Sequence, residues 1–393
     1  MNTKEIEDYI SIYRDGLLKN IIPFWLRHSV DKKYGGFVFA LDQDGTIVDT
    51  DKGVWQLGRF TWMLATLYNE VDHNQEWLDH AIHGARFLEN HCIDEDGRMF
   101  FIVNREGNPI RKRRYVFSEA FASVAFAALY RATREEKYEK LAKELFGVFL
   151  THVTTPGLTE PKFTEYRRIK GMGYPMIGVT TAQELRKNLH ISDFTEYVDQ
   201  WINEIRNDFI KEEYKAVMET VGPHGEFIDH FDGRTLNPGH AIEGAWFILE
   251  EARCRDNDPE LIQLGTKMLD WMWEIGWDKE YGGILYFRDV KGLPVQEYWH
   301  DMKFWWPQCE AIIATLMAYK MTGDVKYAKW HQIIHDWTFK YFPDKKYGEW
   351  FGYLHRDGRI SSTLKGNIWK GPYHIPRMHL MAWQILESLK MGP

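Results

Sequence analysis

The stretch CEAIIATLMAYKMTGDVKYAKWHQIIHDWTF, Cys309 to Phe339, decides the fold. Its first half is apolar on nearly every face, whereas from Val325 onward apolar residues recur at helical spacing between charged ones. A helix that is apolar all round is buried, and one with a single apolar stripe lies at a surface. The stretch therefore reads as an inner and an outer helix joined by a polar turn. FASVAFAALYRATREEKYEKLAKELFGVFL, Phe121 to Leu150, repeats the pattern.

Outward from these pairs lie YGGFVFALDQDGTIVD from Tyr34, DGRMFFIVNREGNPI from Asp96, HGEFIDHFDGRTLN from His224, YGGILYFRDVKGLP from Tyr281 and YGEWFGYLHRDGRIS from Tyr347. Each is a short aromatic or β-branched run, a polar turn with glycine and a second short run, which predicts a β-hairpin. A degenerate sixth unit fits Thr164 to Leu185, and the opening helix, Glu5 to Leu26, supplies the outer partner of the first inner helix. Six units of roughly 60 to 70 residues fill the chain. An open array needs polar capping units, and neither end reads as one. The prediction is an all-α fold: a single domain over residues 1–393, closed as an (α/α)6 barrel of six helical hairpins with short β-hairpins at one rim.

Composition narrows the function. The 393 residues are 44% hydrophobic and 27% charged, as in a globular protein with a large core. A net charge of −8 favours no polyanion, and the one basic cluster, Arg111 to Arg114, reads as a solvated loop, so no nucleic-acid partner is expected. The charged start MNTKEIEDYI lacks the apolar run of a signal peptide and no segment has the length to span a bilayer, giving a cytoplasmic expectation with no membrane partner. Cys92, Cys254 and Cys309 are too scattered for a disulfide framework or a cysteine zinc site. Aromatic residues make up 15% of the chain, and aromatic faces suit the C–H faces of sugars.

If the inner helices begin near Gly53, Tyr115, Gly173, Gly239, Asp301 and Gly371, then Arg59, Glu119, His240, Glu243, Glu310 and His374 lie within their first three turns. Hairpins at a single rim would bring these starts to one cavity. NPGHAIEGAWFILE, Asn237 to Glu250, shows the arrangement: His240 and Glu243 open a helix whose other faces are apolar. Trp305 and Trp306, beside Gln308, suit a sugar platform, with one of the two packing outward, and Arg377 follows Pro376 at the same phase. His240 with Glu243, and Glu297 with His300, have the spacing of metal carboxylate sites, but the second pair falls in a connection and no HExxH occurs, so no metal is expected.

In order, FWLRHSVDKKYGGF, WQLGRFTW, FSEAF, NPGHAIEGAWF, WWPQCEA, YGEWFGYLHRDG and KGPYHIPR resemble the motifs of the N-acylglucosamine 2-epimerase (renin-binding protein) family over nearly the whole chain. The resemblance implies an (α/α)6-barrel isomerase that inverts C2 of an open-chain amino sugar, interconverting N-acetylglucosamine and N-acetylmannosamine. It assigns catalysis to His240, His374, Arg59 and Glu310; Glu243 joins them as an orienting or hydroxyl-binding group, and Glu119, Trp305, Trp306, Gln308 and Arg377 are the expected substrate contacts. Gln308 stands where the mammalian pattern has histidine. The third inner helix, GYPMIGVTTAQEL, lacks the histidine carried there by the related cellobiose epimerases and aldose-ketose isomerases, which favours the N-acyl branch. No cofactor is required; ATP as an effector and a homodimer are family possibilities, though no nucleotide motif occurs. The competing readings are an epimerase or isomerase of mannose, glucose or cellobiose, a non-catalytic binding protein, and a glycoside hydrolase with paired acids.

Overall fold

The structure is a computed structural model that describes residues 1–159 and 161–390. Helix α1 (Thr3–Asp15) widens into a π turn at Gly16–Ile21 and continues as α2 (Ile22–His28). Pro23 has no N–H to give, and the wide turn falls just ahead of it. Gly16 is also required there, because a Cβ would lie 2.6 Å from His379 Nε2.

The inner helices are α3 (Val54–Glu70), α5 (Phe117–Thr133), α7 (Gly173–Leu189), α10 (Pro238–Cys254), α12 (Trp305–Thr322) and α14 (His374–Lys390), with the single turn α9 (Phe231–Arg234) preceding α10. The outer layer is α4 (Gln75–His91), α6 (Glu136–Thr154), α8 (Thr195–Glu204), α11 (Pro259–Gly276), α13 (Val325–Tyr341) and α1. In α12 every residue from Trp305 to Ala318 is buried, whereas α13 buries one stripe that includes Tyr327, His331 and Ile334. This is the inner and outer distinction read in the sequence, and the whole is an (α/α)6 barrel, but α1 is the outer partner of the last inner helix, α14, and not of the first, α3, which pairs with α4. Small residues set the spacing: at Gly58 a Cβ would meet the Phe121 carbonyl carbon at 2.8 Å, so α3 and α5 approach backbone to backbone.

The rim differs from the expectation of five internal hairpins. Ala40–Leu41 pairs with Ile47–Asp49, and Ile102–Val103 with Pro109–Arg111, as predicted. The His224 and Tyr281 stretches do not fold on themselves; Thr235–Leu236 of one pairs with Arg288–Asp289 of the other. Pairing between units recurs at Lys52–Gly53 with Ile102–Val103, Lys170–Gly171 with Thr220–Val221, and Lys303–Phe304 with Tyr353–Leu354. The strand before each of those inner helices thus finds its partner in the next loop, which is why α12 starts at Trp305 rather than near Asp301. A bridge between Leu41 and Gly366 joins the last unit to the first.

Three rim loops share a buried anchor. Asp31, Asp278 and Asp344 each accept two N–H groups of the following turn through Oδ1, while Oδ2 takes Lys52 at 3.1 Å, Lys303 at 2.8 Å and Lys365 at 2.8 Å. All three lysine side chains are fully buried, and each also donates to a glycine carbonyl, of Gly35, Gly282 and Gly348. Among the described residues no helix is long and apolar enough to cross a membrane, and the three cysteines are unpaired.

Candidate active site

The ring of inner helices places His240, Glu243, Glu310, His374 and Arg377 in one cluster at the rim end of the barrel. Its layout follows from local sequence. Asn237 caps α10 by accepting the His240 N–H at 3.1 Å. At Gly239 a Cβ would lie 2.7 Å from the Trp306 indole, so the glycine lets that ring lie against the turn, 4.9 Å from the His240 imidazole. The same indole is 5.8 Å from the His374 ring. Trp306 is therefore the cavity tryptophan; Trp305 packs against Tyr353 with its ring centroid 5.3 Å away.

Each histidine is held at Nδ1 by its own carboxylate. His240 Nδ1 is 3.0 and 3.1 Å from the two oxygens of Glu219, and His374 Nδ1 is 2.7 Å from Glu310 Oε1. A carboxylate only accepts, so both Nδ1 atoms carry the proton and both Nε2 atoms are left for the cavity. The two rings differ in charge. Burial pulls both downward, but at His240, a third of whose side chain is accessible, Glu219, Glu243 and Glu310 together outweigh it, and the net is a rise above the ordinary histidine value. At His374 burial dominates and Arg377, Arg59 and His240 add to it, so against the pull of Glu243 its value falls well below the ordinary one. The surroundings therefore favour the cationic form at His240 and the neutral form at His374.

Arg377 is the hub of the floor. Its Nη2 donates to Glu243 Oε1 at 2.6 Å and Glu310 Oε1 at 2.8 Å, and its Nη1 to the Tyr373 hydroxyl at 3.0 Å. Trp246 Nε1 donates to the other Glu310 oxygen at 2.7 Å. Oxygens and a ring nitrogen of Glu243, Glu310 and His374 come within 4.8 Å of one another, a grouping that suits a cation, but the guanidinium already bridges the two carboxylates where an ion would sit.

Arg59 enters from α3 without any such partner. Its guanidinium carbon lies 4.0 Å from the Phe121 ring centroid and 4.6 Å from that of Tyr373, and its buried Nε has no hydrogen-bond acceptor. Burial, aided by Arg377, lowers its value to about 10 against the pull of Tyr373, Glu243 and Glu310, which leaves it charged at neutral pH. A cation among rings with no acceptor of its own is ready for an oxyanion.

Two expected contacts lie elsewhere. Glu119, in the first turn of α5, turns to the second hairpin, where Oε1 accepts from Arg98 Nε at 2.6 Å and Met99 N at 3.0 Å. Gln308 is fully buried and spends its amide on backbone, accepting from Ile284 N at 2.7 Å and donating to the carbonyls of Ile284 at 2.9 Å and Phe304 at 3.1 Å. Both hold rim loops to inner helices, and the second oxygen of Glu119 is buried without a partner. Glu297 and His300 sit in the turn before Lys303, as the sequence suggested. The residues missed are Glu219, Tyr373 and Trp246. Tyr373 adjoins His374, and Trp246 lies one turn beyond Glu243, so both were within reach of a helical-face argument; Glu219 belongs to a loop that carries no such phase.

Known proteins resemble this chain over most of its length. The family model described as N-acylglucosamine 2-epimerase (GlcNAc 2-epimerase) matches residues 35–377. The N-acylglucosamine 2-epimerase of Bos taurus is 34% identical over 380 residues, covering 95% of this chain and 90% of its own. The cellobiose 2-epimerase of Dictyoglomus turgidum is 27% identical, covering 93% of this chain and 95% of its own. The solved cellobiose 2-epimerase of Bacillus thermoamylovorans superposes with a TM-score of 0.85 at 22% identity, covering 96% of this chain and 99% of that one, and shares the fold.

Proposed function

The chain belongs to the N-acylglucosamine 2-epimerase family, a family of sugar epimerases among the isomerases, and from that premise we propose that it interconverts N-acetylglucosamine and N-acetylmannosamine by inverting C2 of the open-chain sugar. The observation that carries the reading is the pair of imidazoles on separate inner helices, each fixed at Nδ1 by a glutamate, beside a guanidinium with no carboxylate partner among the described residues. The N-acyl substrate is supported by the 34% identity to N-acylglucosamine 2-epimerases against 27% to a cellobiose 2-epimerase, and by the absence of a histidine from α7.

Inversion next to a carbonyl requires removal of the C2 proton from one face and its return to the other. Neutral His374 takes the proton through Nε2. Negative charge moves to O1, where Arg59 donates; that interaction strengthens only as the enolate forms, so it acts on the barrier. Cationic His240 delivers its Nε2 proton to the opposite face. After this turnover the proton resides on His374, and the reverse reaction starts from that arrangement. Glu310 and Glu219 hold the rings, Arg377 holds Glu310, and no electrons change hands, so the chemistry calls for no redox cofactor.

Proton exchange in deuterated water tests the opposed pair. His240→Asn and His374→Asn should each abolish net inversion, and each should slowly label a different epimer, because each surviving histidine reaches one face. Labelling of the same epimer by both variants, or inversion at the wild-type rate in either, would refute the two-histidine mechanism.

A further inference from the structure

Beyond Arg59, towards the rim, lies a bay around the indole of Trp55. Arg59 and Arg114 flank that ring, their guanidinium carbons 5.9 and 6.0 Å from its centroid, and Arg114 also lies 4.7 Å from the ring of Trp369. Phe101 and Trp369 complete the wall, with ring centroids 5.0 and 6.3 Å from Trp55.

The polar content of this bay is unusual. Trp55 Nε1, Arg59 Nε and Arg114 Nε are all buried without an acceptor, and neither guanidinium has a carboxylate within salt-bridge distance among the described residues. Three other arginines of the rim are paired, Arg98 with Glu119, Arg105 with Asp31 and Arg113 with Asp94, while Arg111, over the Phe101 ring, is exposed to solvent. Leaving a buried donor unmet is costly, so three around one ring point to an acceptor that arrives with a ligand. Tyr115, which follows Arg114, holds a left-handed backbone at φ +57°, a strained state for an aromatic residue of the kind that clusters at ligand sites.

We propose that this bay receives the N-acyl group of the sugar: the amide oxygen accepts from Trp55 Nε1 and Arg114, and the acyl carbons lie against Trp55 and Trp369. The inference rests on the N-acyl substrate reading above and names the residues that enforce it. In the enolate, O1 and the amide nitrogen lie in one plane on adjacent carbons, so a group that places O1 at Arg59 carries the acyl chain past it. Unmet donors beside aromatic rings match an amide carbonyl with its alkyl tail. The cluster read in the sequence as a solvated basic loop thus contributes Arg114 to the site.

The test compares N-acetylmannosamine with mannose in Trp55→Phe, Arg114→Gln and Arg114→Lys, using turnover or, for a sugar that is not turned over, competitive inhibition. Trp55→Phe keeps a ring and removes the donor; Arg114 is on the rim and its replacement does not touch the core. Each of Trp55→Phe and Arg114→Gln should raise KM for N-acetylmannosamine about five- to tenfold, with the loss in KM rather than kcat, because the contact is made equally in ground and transition states. Arg114→Lys should recover part of it, and mannose should be unaffected. A KM change below about twofold in both variants, or equal losses on both sugars, overturns the bay. A wild-type enzyme that turns over mannose but not N-acetylmannosamine instead overturns the substrate reading, and the bay falls with it.

Discussion

Replacing Glu219 by glutamine should move the alkaline limb of the pH profile without abolishing the reaction. In the proposed mechanism the active free enzyme holds one proton on the histidine pair. Activity therefore rises as pH passes upward through the His374 value, below 6.5, and falls as it passes through the His240 value, above 6.5. Both directions of the reaction share this profile, since both start from the singly protonated pair. Glu219 touches His240 Nδ1 at 3.0 Å and is the main group holding its value up. A carboxylate at such a distance favours the charged imidazole, and the accessibility of a third of the His240 side chain to solvent keeps the effect modest. Glutamine keeps an acceptor for the Nδ1 proton and loses the charge. The limb should then shift to lower pH, costing up to about tenfold in kcat/KM at pH 8 and much less at pH 6. Initial rates of N-acetylmannosamine conversion from pH 5 to 9 measure it. An alkaline limb that stays in place, with a uniform loss at every pH, would show that Glu219 orients the ring without setting its charge, and the assignment of His240 as the cationic partner would lose its support.

Lys303→Met removes the cation from a fully buried pair and leaves Asp278 with only Arg356, so equilibrium unfolding should show a loss of about 3 kcal/mol, and a loss below about 1 kcal/mol would contradict an anchoring role. Acid should destabilise the fold ahead of carboxylate titration. Burial holds His331 well below its ordinary value, His335 at about 3 and His379 at about 4, so the folded state keeps them neutral while the unfolded chain protonates near 6.5. Their contribution is complete above pH 6.5 and is lost as pH falls towards 4, and thermal midpoints should decline across that window with a shallower slope in His335→Gln; a flat midpoint down to pH 4.5 would contradict it.

The six-unit barrel was legible because buried inner helices and striped outer ones leave different periodicities, and the inner-helix phase then located His240, Glu243, Glu310, His374 and Arg59 at one end. The rim was less legible. A two-residue strand carries too little pattern to reveal whether it pairs within its own loop or with the next, and the His224 and Tyr281 stretches, similar in composition to true hairpins, pair with each other instead. Side-chain direction was likewise hidden. Glu119 and Gln308 occupy the expected phase yet hydrogen-bond to rim backbone, because a first-turn residue can turn towards either the axis or the rim. Arg377, read only as a substrate contact, holds two catalytic-site carboxylates through a bridge that depends on three helices meeting.

The joint between the last unit and the first has a mechanical meaning. Leu41 bridges Gly366, Trp25 Nε1 donates to Glu349 at 2.7 Å, and the Tyr13 hydroxyl bonds His331 and His335 at 2.8 Å each. A linear stack of helical hairpins can fray from its outermost member inward, one repeat at a time, because that member has a single neighbour. In this barrel every unit is flanked on both sides, so no repeat is the cheapest to lose. Detaching any one unit forfeits two interfaces at once, and the histidines, which belong to the fourth and sixth units, keep their spacing until the whole ring gives way.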